Sequence, residues 1–118
     1  MVKVIVLMPR RGDMSREDFR QYLRETHLPL AAKIPGLRRL VVNWVRPDPN
    51  QPPPAYDAAV EDWFDDGVSM GAALASPEVQ AVVADGPNYL DTSRSALLVV
   101  EEENIPLSTT AAAASPGG

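Results

Sequence analysis

Two runs rich in β-branched residues bracket a stretch of helical periodicity at the start of this chain, and that arrangement limits the folds open to it. Met1 to Met8 is interrupted only by Lys3 and stopped by Pro9-Arg10-Arg11-Gly12-Asp13, so it reads as a strand buried on both faces or nearly so. Ser15 then offers its hydroxyl to the free amides of a first helical turn, and Glu17 and Asp18 suit the positive helix end. Phe19, Tyr22, Leu23, Leu30 and Ile34 recur at helical spacing. Pro29 cannot donate to the Glu25 carbonyl and disfavours a helical Leu28. A kink or break is therefore expected, then a short turn through Ala31-Ala32-Lys33 and a stop at Pro35-Gly36. Leu37 to Arg46 follows as a second strand, with Leu40, Val42 and Trp44 on one face and Arg39, Val41, Asn43 and Val45 on the other.

Pro47 to Pro54 is a stiff, extended connection. Tyr56 to Phe64 is a third strand, with Ala59, Glu61 and Trp63 facing one way and Val60, Asp62 and Phe64 the other. Two short helices come next: Val68 to Ala75, and a second that Ser76-Pro77-Glu78 opens and Asp85-Gly86-Pro87 closes. Ser95 to Val100 is a fourth strand. The order is β-α-β-β-α-β, the split pattern of an α+β, ferredoxin-like domain with a four-stranded antiparallel sheet. We place this domain at residues 1–107 and a low-complexity, disordered tail at 108–118. With helices on one face only, the other face of the sheet is bare, and a second copy of the sheet is the economical cover. A homodimer is expected on these grounds.

The chain has no cysteine and one histidine, which removes disulfides, thiolate chemistry and multi-histidine metal centres. A length of 118 residues suits one domain, and no stretch is long enough to span a membrane. A cytoplasmic protein that binds neither membrane nor nucleic acid is expected, because the net charge is −5. That charge is unevenly spread. Residues 1–46 hold 10 basic and 4 acidic side chains, and residues 47–118 hold 1 basic residue, Arg94, and 12 acidic ones. Interleaved halves would set the basic second strand (Arg38, Arg39, Arg46) beside the acidic third (Asp57, Glu61, Asp62).

Phe19-Arg20-Gln21-Tyr22, then His27-Leu28-Pro29-Leu30 and Pro35-Gly36-Leu37, together resemble the opening half of an EthD-like domain. Tyr56-Asp57, Glu61-x-Trp63-Phe64-Asp65, and Asp85 with Asn88-Tyr89-Leu90-Asp91 extend the likeness over residues 2 to 103. The resemblance implies a dimeric α/β barrel related to muconolactone isomerases, polyketide cyclases and cofactor-independent monooxygenases. It also implies that His27 lines a cavity between sheet and helices. Members are often labelled reductases, but no dinucleotide-binding feature is present here.

His27 follows Phe19 and Leu23 at four-residue intervals, at the margin of the sheet-facing stripe, and imidazole is the side chain suited to moving a proton near neutral pH. The plain alternative is a histidine bonded to backbone at a helix break. Tyr22, Trp44, Trp63 and Tyr89 could shape a pocket for a flat apolar ligand, or could simply pack the core. Asp85, near Tyr89, could pair with His27 or serve turn chemistry before Gly86; Glu61 could join it or form a cross-strand ion pair with Arg38 or Arg39. The expectation is a small enzyme using no cofactor and no metal, with His27 as general acid/base. It would act on an apolar cyclic or polyketide-like molecule by isomerisation, cyclisation or dehydration. The alternatives are a non-catalytic binding protein for a hydrophobic metabolite, and a cofactor-independent monooxygenase or EthD-type oxidoreductase.

Overall fold

The computed structural model describes residues 1–108; of the expected tail, all but Ser108 lies outside the described residues. Four strands, β1 (Val2–Met8), β2 (Arg39–Trp44), β3 (Ala58–Phe64) and β4 (Ala96–Glu101), form one sheet in the order β2-β3-β1-β4. Every neighbouring pair is antiparallel. This is the ferredoxin-like α+β topology. Helices α1 (Arg16–Tyr22), α2 (Leu28–Ala31), α3 (Gly67–Leu74) and α4 (Pro77–Asp85) cover one face.

Local chemistry sets the helix boundaries. The Ser15 hydroxyl accepts from the Asp18 amide at 3.1 Å, Asp66 caps α3 through the Ser69 amide, and Ser76 caps α4 with Pro77 in its first turn. Gly36, at φ +79°, supplies the left-handed residue that turns the chain toward β2.

Pro29 acts differently from the sequence expectation. Leu28 stays helical at φ −61° and ψ −34°, and the helix is not broken. Instead residues Leu23–His27 form a π-turn joining α1 to α2, in which the Leu28 amide reaches back five residues to the Leu23 carbonyl. The wider turn makes room for the proline ring where an α-helix would drive it into the Glu25 carbonyl.

The register gives the sheet two unlike faces. Val4, Val6, Met8, Ala58, Val60 and Phe64 face the helices; all but Val6 divide between two buried clusters, and Val6 packs against both. One cluster gathers Met8, Phe19, Leu23, Val60, Tyr89 and Leu90; the other gathers Val4, Ala31, Ile34, Phe64 and Ala73. Asp62 points the same way, between Val60 and Phe64, and joins neither cluster. The opposite face carries Lys3, Ile5, Leu7, Val41, Trp63 and Leu98, over which no described element lies.

Charge pairing crosses the fold along other lines than expected. Glu61 pairs with Lys3 of β1 at 3.1 Å rather than with Arg38 or Arg39, and Arg38 pairs with Asp65 beyond the end of β3. Asp57 meets Arg10 and Arg16, and Asp62 has no cationic partner among the described residues. β3 lies between β2 and β1, so Lys3 of β1, Arg10 of the loop after it and Arg16 at the start of α1 also reach the acidic strand.

Phe19 is 1% exposed at the centre of its cluster, so Phe19→Ala should cost roughly 3–5 kcal/mol in urea denaturation, against about 1 kcal/mol for Ser15→Ala. Burial pushes the Asp62 carboxyl from 3.8 up to about 6, so the folded state binds this proton more tightly than the unfolded chain. The stability it contributes is full below 3.8 and is lost as pH rises through about 6. Asp62→Asn, with no charge to bury, should gain on the wild type by roughly 3 kcal/mol between acid and mildly alkaline pH, read from paired denaturation curves.

Candidate functional site

The helices do not close down on the sheet along its whole length. Between the two clusters lies a cavity of about 340 Å³, within the usual range for small-molecule sites. Val4, Val6, Val60, Asp62 and Phe64 form its floor, while His27, Leu28, Ala31 and Ile34 form its roof. Val79, Val82 and Val83 of α4 make one wall, and Tyr89 closes one end. The lining is mainly apolar, and its titratable groups are His27, Asp62 and Tyr89.

Each of these is held by a distinct local device. The π-turn ends at His27, which is 4% exposed. Tyr89 is set by the turn Gly86–Asn88 after α4, and its carbonyl accepts from the Arg11 amide at 2.9 Å. The Leu90 amide reaches the Gly86 carbonyl, also at 2.9 Å, and the Asp91 amide reaches Pro9, so the segment is clamped to the end of β1. Strand alternation alone turns Asp62 inward.

The Asp85 carboxylate lies behind the cavity wall. His27 Nδ1 is 2.9 Å from Asp85 Oδ2, while the Tyr22 hydroxyl donates to Oδ1 at 2.5 Å and the Asn88 amide donates to Oδ1 at 2.9 Å. Burial pushes the Asp85 carboxyl up, but the hydrogen bonds from Tyr22, Asn88 and His27 outweigh it and hold the group below the ordinary carboxylate value. An ionised carboxylate only accepts, so Nδ1 carries the proton and the neutral ring keeps its lone pair on Nε2. Nε2 has no hydrogen-bond partner among the described residues. Burial, the largest influence on the ring, lowers its pKa from 6.5 against the opposing pull of Asp85. The imidazole is thus neutral at neutral pH, and it is fixed in orientation.

Tyr89 packs beneath this group, its ring centroid 4.6 Å from that of His27 and 5.2 Å from that of Tyr22. Its hydroxyl is buried without a partner among the described residues, and burial, with Asp85 and Tyr22 nearby, raises its pKa far above the ordinary phenol value.

Of the seven residues singled out in the sequence, Glu61 faces away from the helices and pairs with Lys3, while four come together: His27, Asp85, Tyr22 and Tyr89. Among these, His27 and Tyr89 line the cavity, and Tyr22 and Asp85 stand behind them. The two tryptophans are placed elsewhere. Trp44 packs at the margin of the first cluster, with the Arg20 and Arg24 guanidiniums 5.1 and 5.3 Å from its ring centre. Trp63 lies on the opposite face of the sheet between Lys3 and Arg39, because odd-numbered residues of β3 point away from the helices. Asp62 is the group that residue-by-residue reading passed over. Its signal was present: a carboxylate occupying an inward position between two apolar residues of a strand. No group of three His, Asp or Glu residues placed to hold a metal ion occurs among the described residues. Nor is any described helix long and apolar enough to cross a membrane.

The EthD domain family model matches residues 11–93. An uncharacterised 11.0 kDa protein from the thcB-thcC intergenic region of Rhodococcus erythropolis is 31% identical over 106 residues, covering 90% of this chain and all of that one. Among solved structures, an ethyl tert-butyl ether D (EthD) family protein from Bacillus halodurans C-125 is 29% identical, with a TM-score of 0.75 over 87% of this chain and 99% of that chain. A dimeric protein of ferredoxin-like fold from Bacteroides fragilis shares the fold at 22% identity, with a TM-score of 0.61 over 86% and 95% of the two chains. A match over this span, with the fold and chain order that accompany it, makes this chain a member of the EthD family.

Proposed function

We propose that this protein is a small acid–base enzyme, needing no cofactor, that acts on a flat apolar carbonyl or polyketide-like molecule, with His27 as the proton-moving group. The observation that carries this reading is the orientation of one ring. Nδ1 is tied to an ionised Asp85, which leaves Nε2 unpaired beside an apolar cavity. A base so placed takes a proton without first breaking a hydrogen bond, and the resulting imidazolium is stabilised by Asp85. Tyr22 is a positioning residue, since its hydroxyl holds the carboxylate that holds the ring. Apolar walls would bind the substrate by area, and the polar groups would orient it.

The protein would work as a homodimer, a second copy covering the sheet face that carries Ile5, Val41 and Leu98. The dimeric relative of the same fold supports that arrangement.

His27→Gln should lower turnover by roughly 10²–10⁴-fold while leaving ligand affinity within about threefold. The measurement is product formation from a panel of cyclic ketones and quinols, with dissolved oxygen recorded in parallel. Binding with indifference to His27→Gln would instead mark a carrier of hydrophobic metabolites, and stoichiometric oxygen uptake would mark a monooxygenase. The pH profile gives a separate check. Protonation of His27 removes the base, so kcat/KM should fall about tenfold per pH unit on the acid side, with its midpoint below 6.5. Tyr22→Phe should keep this limb and lower kcat more than it changes KM.

A further inference from the structure

The cavity holds a carboxyl group that the His27 reading leaves idle. Asp62 rises from the floor in β3, and His27 hangs from the roof at the end of the π-turn. Both line the cavity, whose walls draw on both apolar clusters. Oδ1 of Asp62 is buried and accepts no hydrogen bond within the described protein. Its neighbours across the sheet are Val4 and Leu40, which offer no side-chain donor. A buried carboxyl left without a partner costs stability, and the cost is relieved when a bound molecule supplies or receives a hydrogen bond there. A molecule in the cavity is placed to do so, and one that displaces water there takes over that role.

We propose that Asp62 is a second catalytic residue, the acid that faces the base His27, and that the substrate class is an enolisable ketone whose oxygen points at the sheet. This deepens the acid–base reading above and rests on it. In the forward step His27 Nε2 takes a proton from the carbon next to the carbonyl. The C–H electron pair becomes the new C=C bond, the carbonyl π pair takes the proton of Asp62, and the enol is formed. His27 is then an imidazolium and Asp62 a carboxylate. The reverse step at the same carbon restores both groups, and reprotonation from the solvent-exchanged imidazolium leaves the label on the ketone. No oxidant or reductant is consumed.

The surroundings suit a carboxylic acid that keeps its proton. The groups able to titrate around Asp62 are His27 from the roof and Tyr89 from the closing turn; the lining residues of α3 and α4 (Leu74, Val79, Val82, Val83) carry no charge. Burial alone already pushes the carboxyl up to about 6. A ligand that expels water from the cavity raises it further, since desolvation penalises the ionised form.

The test uses 2-tetralone, a flat bicyclic ketone with acidic hydrogens beside its carbonyl. Loss of its C1 proton signal in D₂O is followed by NMR, and saturation transfer from the protein reports binding. Wild type should bind the ketone and accelerate exchange. Asp62→Val, an inward strand residue that should fold at least as well, should lower the bound-state exchange rate about 100-fold. Asp62→Asn can still donate a hydrogen bond but cannot titrate, so its rate should lose the fall on the alkaline side while keeping the fall on the acid side. If Asp62→Val exchanges at the wild-type rate while His27→Gln does not, Asp62 is no catalyst and the His27 reading stands. If His27→Gln exchanges at the wild-type rate, that earlier reading fails and takes this one with it. Failure of the wild type to bind the ketone, or to exchange it once bound, overturns the proposed substrate class.

Discussion

The Asp85 carboxylate is the tie on which the site depends. It stands at the C-terminal end of α4 and gathers Tyr22 and His27, which are 63 and 58 residues earlier, together with Asn88 one turn later. All three contacts are charge-assisted, and those from Tyr22 and His27 are partly buried, the setting in which such bonds are strongest. They fix the rotation of the helix that covers the sheet relative to the helix that closes the cavity. Tyr89 is then packed between the Tyr22 and His27 rings. The cavity can stay open because this polar tie, not continuous apolar packing, holds its roof to its end wall.

The π-turn is the second half of that arrangement. A regular α-helix through residues 23–31 would leave the proline ring against a carbonyl and would rotate His27 to another bearing. Widening one turn removes the clash and delivers the ring to the cavity. The same residue that disrupts ordinary helix geometry therefore sets the direction of the candidate base. Extra turns of this kind recur at functional sites because they re-aim a side chain without ending the helix.

Much of this was legible in the residues. The succession of strands and helices, the caps at Ser15 and Ser76 and the stop at Gly36 all follow from local rules, whereas the pairing of His27 with Asp85 joins residues 58 apart and was only one of two readings of Asp85, beside turn chemistry. What escaped had non-local causes. Pro29 carries two opposed readings, a break or a widened turn, and the packing of Leu23 and Ala31 into separate clusters on either side decides between them. Trp63 looks like a pocket aromatic until the alternation of β3 is fixed by its neighbours, and then it must lie on the far face. The partners of Glu61 depend on which strand is adjacent, and sequence order puts β2 next in line when the sheet also places β1 there. Asp62 was readable by alternation alone, but a carboxylate in an acidic half of the chain draws little notice until its surroundings are known.

The rim of the cavity has a character of its own. Leu74, Val83 and Leu97 line it and are 40%, 69% and 55% exposed, so the way in is paved with hydrocarbon and carries no charge. β4 contributes Leu97 from the helix-facing side of the sheet, where the helices leave the strand uncovered. Long-range attraction between charges is what makes many association rates sensitive to salt. The rim itself offers no charged side chain for such attraction. For the neutral apolar molecule proposed above, capture would be governed by the release of water from two apolar surfaces, and the ionic strength would have little leverage over how fast the site fills.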